Sequence, residues 1–130
     1  MGWIANLKRG APAFSNTAEF TTAGGSTAEF LPLSKLTPVV LITQTTGNNA
    51  VKLPNPGKTA KGMQLTVVCK SHGGNTLTVG PQDALSADAT GERTVSMSTA
   101  GEVAQFLWDG SKWNLVDILS AGVAAGSDIS

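Results

Sequence analysis

The run Gly101-Glu102-Val103-Ala104-Gln105-Phe106-Leu107-Trp108-Asp109-Gly110-Ser111-Lys112-Trp113-Asn114-Leu115-Val116 constrains the fold more than any other stretch of the chain. Two apolar segments rich in strand formers flank Asp109-Gly110. Glycine accepts the positive φ that a tight turn needs, so the spacing predicts a β-hairpin from about Glu102 to Leu119. Trp108 and Trp113 bracket the turn, which brings both indoles to one end of the hairpin. Indoles in that position cap a core or fill an interface more often than they form a sugar-stacking platform.

Other segments have the same texture. Met63, Leu65, Val67 and Cys69 alternate with Gln64, Thr66, Val68 and Lys70, the period of two expected of a half-buried strand. Val39-Val40-Leu41-Ile42 and Ala50-Val51-Lys52-Leu53 are short apolar runs, the second closed by Pro54-Asn55-Pro56-Gly57. Leu77 and Val79 share one face of a strand stopped by Gly80-Pro81, and Val95 and Met97 share a face of another. Strands at short, turn-punctuated intervals predict an all-β fold, a β-sandwich or a jelly-roll-like small barrel.

Residues 1–37 read differently. They hold a short repeat, Asn16-Thr17-Ala18-Glu19-Phe20 and Ser26-Thr27-Ala28-Glu29-Phe30, joined by Thr21-Thr22-Ala23-Gly24-Gly25. Each copy has Glu at the third position after a capping residue, as a helix start would. No apolar helical stripe follows, so two extended segments are the better reading. Trp3, Phe14, Phe20 and Phe30 are spaced along a polar chain, which suits docking onto another subunit better than building a private core. The division expected is an extended N-terminal arm over 1–37, a β domain over 38–120 that folds without the arm, and a flexible C-terminal tail over 121–130.

Composition narrows the function classes. With 130 residues one domain is the natural prior. Nine Lys plus Arg balance nine Asp plus Glu, which argues against a nucleic-acid partner held through its phosphates. Charged residues make up only 14%, less than a free-standing monomer usually carries, and suit faces covered by copies of the chain or by a partner. The single cysteine, Cys69, excludes an intrachain disulfide. No apolar run approaches the ~20 residues of a membrane span. The first residues lack the charge-then-apolar order of a signal peptide, and Asn6 breaks the myristoylation pattern.

The candidate chemical motifs fail on their spacing. Gly57-Lys58-Thr59 resembles the end of a phosphate-binding loop, but Lys52 stands where that loop needs its first glycine. His72 is the only histidine and sits in a Gly-rich turn. Cys69 and His72 make two potential zinc ligands where about four are required. Cys69 shares the apolar face of its strand and reads as a small buried hydrophobe. Asp83 and Asp88 share a loop that could hold calcium weakly, yet the spacing is not that of an EF-hand. The expectation is a non-enzymatic protein with no catalytic residue, no metal site and no cofactor.

From about Leu53 to Val116 the order of elements resembles the β-domain of virion proteins of tailed bacteriophages. Those include small capsid decoration (cement) proteins and some tail or fibre modules. The residues that carry the likeness are Gly73-Gly74-Asn75-Thr76-Leu77-Thr78-Val79, Thr94-Val95-Ser96-Met97, Gly101-Glu102-Val103-Ala104-Gln105-Phe106 and Trp108-Asp109-Gly110-Ser111-Lys112-Trp113. The resemblance implies a homotrimer on the outer capsid surface, made in the host bacterial cytoplasm, that binds the major capsid protein and stabilises contacts between its subunits. A tail, fibre or baseplate module is the alternative, and a carbohydrate-binding module using Trp108 and Trp113 the second alternative. Membrane and nucleic acid are not expected partners.

Overall fold

The computed structural model describes residues 17–23, 28–45, 47, 49–82, 92–119 and 122–125. Among the described residues ten strands form two five-stranded sheets that pack as a sandwich. They are β1 Thr17–Thr21, β2 Glu29–Phe30, β3 Val39–Thr43, β4 Asn49–Leu53, β5 Gln64–Ser71, β6 Leu77–Pro81, β7 Arg93–Met97, β8 Val103–Trp108, β9 Trp113–Leu119 and β10 Gly122–Ala125. The first sheet has the order β1-β3-β5-β8-β9 and the second β10-β7-β6-β4-β2. The all-β sandwich expected from the sequence is therefore present.

Its winding is less ordinary. From β1 to β6 the chain alternates between the sheets, and each of β1, β2, β3 and β4 pairs in parallel with the strand two places on. The N-terminal half is thus a flattened parallel coil. The C-terminal half closes it with antiparallel pairs, β6 with β7, β5 with β8 and β8 with β9, and β10 returns along β7.

Two boundaries drawn from the sequence move as a result. Residues of the expected arm supply β1 and β2, so among the described residues the sandwich begins at Thr17, not at Pro38. Residues of the expected tail supply β10. The reason is the same at both ends: each sheet needs a neighbour for its last interior strand, and a short segment with few core residues satisfies that need through its backbone hydrogen bonds. Both copies of the repeat are strands where described, one in each sheet, and not helix starts.

Alternation puts the core between the sheets. Val40 and Ile42 of β3, Leu65, Val67 and Cys69 of β5, and Ala104, Phe106 and Trp108 of β8 point inward from the first sheet. Val51 and Leu53 of β4, Leu77 and Val79 of β6, and Val95 and Met97 of β7 meet them from the second. Leu31 and Trp113 complete this buried set, and Phe20, Leu36, Met63, Leu115 and Ile118 pack around it.

Polar groups fasten the crossings between sheets. The Thr22 hydroxyl donates to Asn49 Oδ1 at 3.0 Å and accepts from the Thr45 amide at 3.0 Å, which ties the end of β1 to the ends of β3 and β4. Gln44, 2% exposed, donates from Nε2 to the Gly47 carbonyl and accepts from the Gly73 amide, each at 2.6 Å. Gly73 lies so close to this crossing that a Cβ there would sit 1.5 Å from the Thr45 carbonyl oxygen. Gly73→Ala is expected to force the backbone apart and to cost about 1–3 kcal/mol, as overpacked sites do. A urea midpoint unchanged from the parent would refute this.

Candidate functional site

Each candidate residue from the sequence has a definite place or lies outside the described residues. Trp3 and Phe14 lie outside them, as do Asp83 and Asp88 with the calcium reading of their loop. Phe20 turns inward at the end of the core, opposite Ile42. Phe30 is outward and 54% exposed, with the Lys52 ammonium 5.2 Å from its ring centroid.

Trp108 and Trp113 are 2% and 0% exposed. Their rings lie 5.4 Å apart, and Phe106 meets Trp113 edge-on at 6.5 Å. The Trp108 indole N–H donates to the Gly57 carbonyl at 2.8 Å and that of Trp113 to the Pro54 carbonyl at 3.1 Å. The pair thus pins the hairpin to the crossing from β4 to β5. Neither indole offers a face to solvent, so the two provide no sugar-stacking platform, and the carbohydrate reading loses the residues it rested on.

The other motifs resolve into turn architecture. Gly57-Lys58-Thr59 opens a 3₁₀ turn over Lys58–Ala60, with Gly57 at φ 97°, and Gly57 is the residue that accepts the Trp108 N–H. His72 Nδ1 accepts from the Gly74 amide at 3.2 Å in the turn between β5 and β6. Cys69 is buried, and burial followed by the nearby Glu102 charge pushes its thiol pKa up. Among the described residues no three of His, Cys, Asp and Glu converge on a point where a metal could sit.

Two carboxylates brace the ends of β8. Glu102 Oε1 accepts from the amides of Ser98 and Thr99 at 2.6 and 3.1 Å, closing the turn before the strand. Asp109 closes the turn after it: Oδ2 accepts from Asn114 Nδ2 at 2.9 Å, and Oδ1 from the Ser111 and Lys112 amides at 2.9 Å each. These bonds, that of Asn114 foremost, lower the Asp109 pKa from 3.8 to about 2. A depressed acid stabilises the fold above its unfolded pKa and loses that contribution as pH falls through the folded one. The turn is therefore expected to loosen between pH 3.8 and about 2. Amide exchange at Ser111 and Lys112 measures it, and an Asp109→Ala variant should lose this acid-side response.

The surface with binding character is the outer face of the first sheet. Leu41, Val68, Val103 and Leu119 stand in register across β3, β5, β8 and β9. They form an unbroken apolar row on the side away from the core. At its far end Glu19 of β1 follows Leu41 and pairs with Lys70 at 2.7 Å. The neighbouring row is Val39, Thr66, Gln105 and Asp117, with Gln105 Nε2 donating to Thr66 Oγ1 at 3.3 Å. The extra residue of the bulge in β9 is Val116, 61% exposed.

Two shallow depressions flank Gln105. One, of about 260 Å³, lies against Val103, Asp117 and Leu119; the other, of about 170 Å³, lies against Gln64, Leu107 and Val116. Both are smaller than the ~300–1,000 Å³ clefts that enclose small molecules, and suit the side chains of a macromolecular partner.

No family model matches this sequence, and no curated protein matches it. In contrast to the first sheet, one row on the outer face of the second sheet is small and largely polar, with Ala50, Thr78 and Ser96 in register. The apolar row escaped the sequence reading, although a signal was present. Val39-Val40-Leu41-Ile42 and Val67-Val68 break the alternation of a half-exposed strand, and unbroken apolar runs mark strands covered on both faces.

Proposed function

We propose that this protein is a non-enzymatic virion structural protein of a tailed bacteriophage. In this reading it is a capsid decoration protein that docks on the major capsid protein and holds neighbouring subunits together. The resemblance in the Leu53–Val116 region supplies the virion context. The observation that carries a docking role is the Leu41, Val68, Val103, Leu119 row, because apolar side chains in register on an outward sheet face are stabilised when a partner covers them. A homotrimer on the outer capsid surface would present three such faces as one body, multiplying modest affinity through effective concentration.

A tail, fibre or baseplate position is the second reading. The parallel winding of β1 to β6 favours it, since such a coil can be extended rung by rung.

Co-sedimentation with undecorated capsids tests the proposal. Val68→Glu and Val103→Glu place charges on the outer face and leave the core untouched. Each is expected to weaken capsid binding by about tenfold or more, since a buried unpaired charge is costly. Undiminished binding by folded variants would remove the face from the interface. Binding to purified tails in place of heads would select the second reading.

A further inference from the structure

The larger depression on the outer face of the first sheet is chemically one-sided. Val103 of β8 and Leu119 of β9 stand opposite one another in its wall, and both are apolar. The next outward pair along the same two strands is Gln105 and Asp117, which also line it. Side chains paired across strands in this way start only about 4.5–5.5 Å apart.

Both polar groups are left as acceptors. The Gln105 amide nitrogen donates to Thr66 Oγ1 at 3.3 Å, which holds that nitrogen toward β5 and leaves Oε1 to accept. Asp117 Oδ1 accepts from the amide of its neighbour Ile118 at 2.9 Å, and Oδ2 has no partner among the described residues. Asp117 also lacks a counter-charge among them. Glu19, at the far end of the apolar row, has one in Lys70 at 2.7 Å.

A partner that lies on Val103 and Leu119 fills this depression and strips water from Asp117. An ionised carboxylate covered without a counter-charge opposes binding. The occupant therefore needs a positive charge, donors for two neighbouring acceptors, and an apolar stem. Arginine combines all three. Its guanidinium presents N–H groups in a fixed planar fork, and its methylenes lie well along apolar surface. The lysine ammonium is a compact, strongly hydrated point charge and fits two separate acceptors less well.

We propose that this depression seats an arginine side chain of the docking partner. The guanidinium bridges Gln105 Oε1 and the Asp117 carboxylate, and the methylenes rest on Val103 and Leu119. The proposal deepens the docking reading above and rests on it: Asp117 becomes the group by which the face selects its partner.

The test titrates the isotope-labelled full-length chain with Nα-acetyl-arginine amide and follows its amide resonances. The Gln105 side-chain signal and the Ile118 and Leu119 backbone signals are expected to shift. Nα-acetyl-citrulline amide keeps the shape without the charge, and its response is expected to be weaker by about tenfold or more. Asp117→Asn should lose the arginine response. It keeps an acceptor for the Ile118 amide at an exposed position, so it should fold, and tryptophan emission checks this. In co-sedimentation with undecorated capsids the same variant is expected to bind about tenfold or more weakly than the parent.

No response to the arginine probe overturns the proposal, as does an equal response to the citrulline probe or to Nα-acetyl-lysine amide. An Asp117→Asn protein that binds capsids like the parent overturns it too. A parent that takes the arginine probe selectively but binds no capsid keeps the arginine seat and sinks the decoration reading. A parent that binds capsids and ignores the probe does the reverse.

Discussion

Trp113→Ala is expected to destabilise the protein by about 3–5 kcal/mol, the range for deleting a large buried aromatic. A domain of this size holds only about 5–15 kcal/mol in total, so the variant should sit close to unfolding. Two losses add together at this position. The indole is fully buried, between Phe106 edge-on and Trp108 at 5.4 Å, so its removal leaves a cavity that two rings border. Its N–H bond to Pro54 disappears, leaving a carbonyl without that donor. That bond is one of the two indole bonds that hold the hairpin to the crossing between β4 and β5, and only the Trp108 bond to Gly57 remains.

Trp113→Phe separates these terms. It keeps most of the apolar volume and removes the donor, so it is expected to cost about 1–3 kcal/mol. Trp108→Ala should also fall near 3–5 kcal/mol, since that indole is buried and bonded to Gly57. Urea unfolding measures all three. A Trp113→Ala protein with the parent's midpoint would mean that the pair does not anchor the hairpin.

Deleting residues 1–30 is expected to abolish cooperative folding or to drive aggregation. The deletion removes β1 and β2, the parallel neighbours of β3 and β4. Phe20 leaves the end of the core, and the Thr22 hydroxyl leaves Thr45 and Asn49. What remains exposes two parallel edge strands, and β3, Val39-Val-Leu-Ile-Thr43, has β-branched or apolar residues at every position. Parallel strands are seldom left uncovered, and an apolar edge is a template for pairing with other chains. Circular dichroism and sedimentation follow the outcome. A truncated protein as soluble and heat-stable as the parent would show that the sandwich closes without its first two strands, as an arm over residues 1–37 would predict.

Sequence alone determined the features that depend on neighbours along the chain. The β8–β9 hairpin follows from Asp109-Gly110 between apolar runs, and its turn is held by the aspartate that opens it. The inward set of β5, Leu65, Val67 and Cys69, follows from a period of two. Trp108 and Trp113 could be assigned to one end of the hairpin because strand length and turn length fix where a side chain lands.

Tertiary structure decided what depends on partners distant in sequence. Whether Thr17–Thr21 is an arm or a strand is set by the free edge of β3, and β3 carries no mark of it in its own residues. Parallel winding was invisible for the same reason: a strand's pattern shows which faces are covered, not which strand lies beside it. The outer apolar row shows the limit most plainly. Leu41, Val68, Val103 and Leu119 are scattered along the chain, and only the register of three strand pairs brings them into one line. Register is a property of backbone pairing across the whole sheet, so a surface built from it exists only once the sheet has formed.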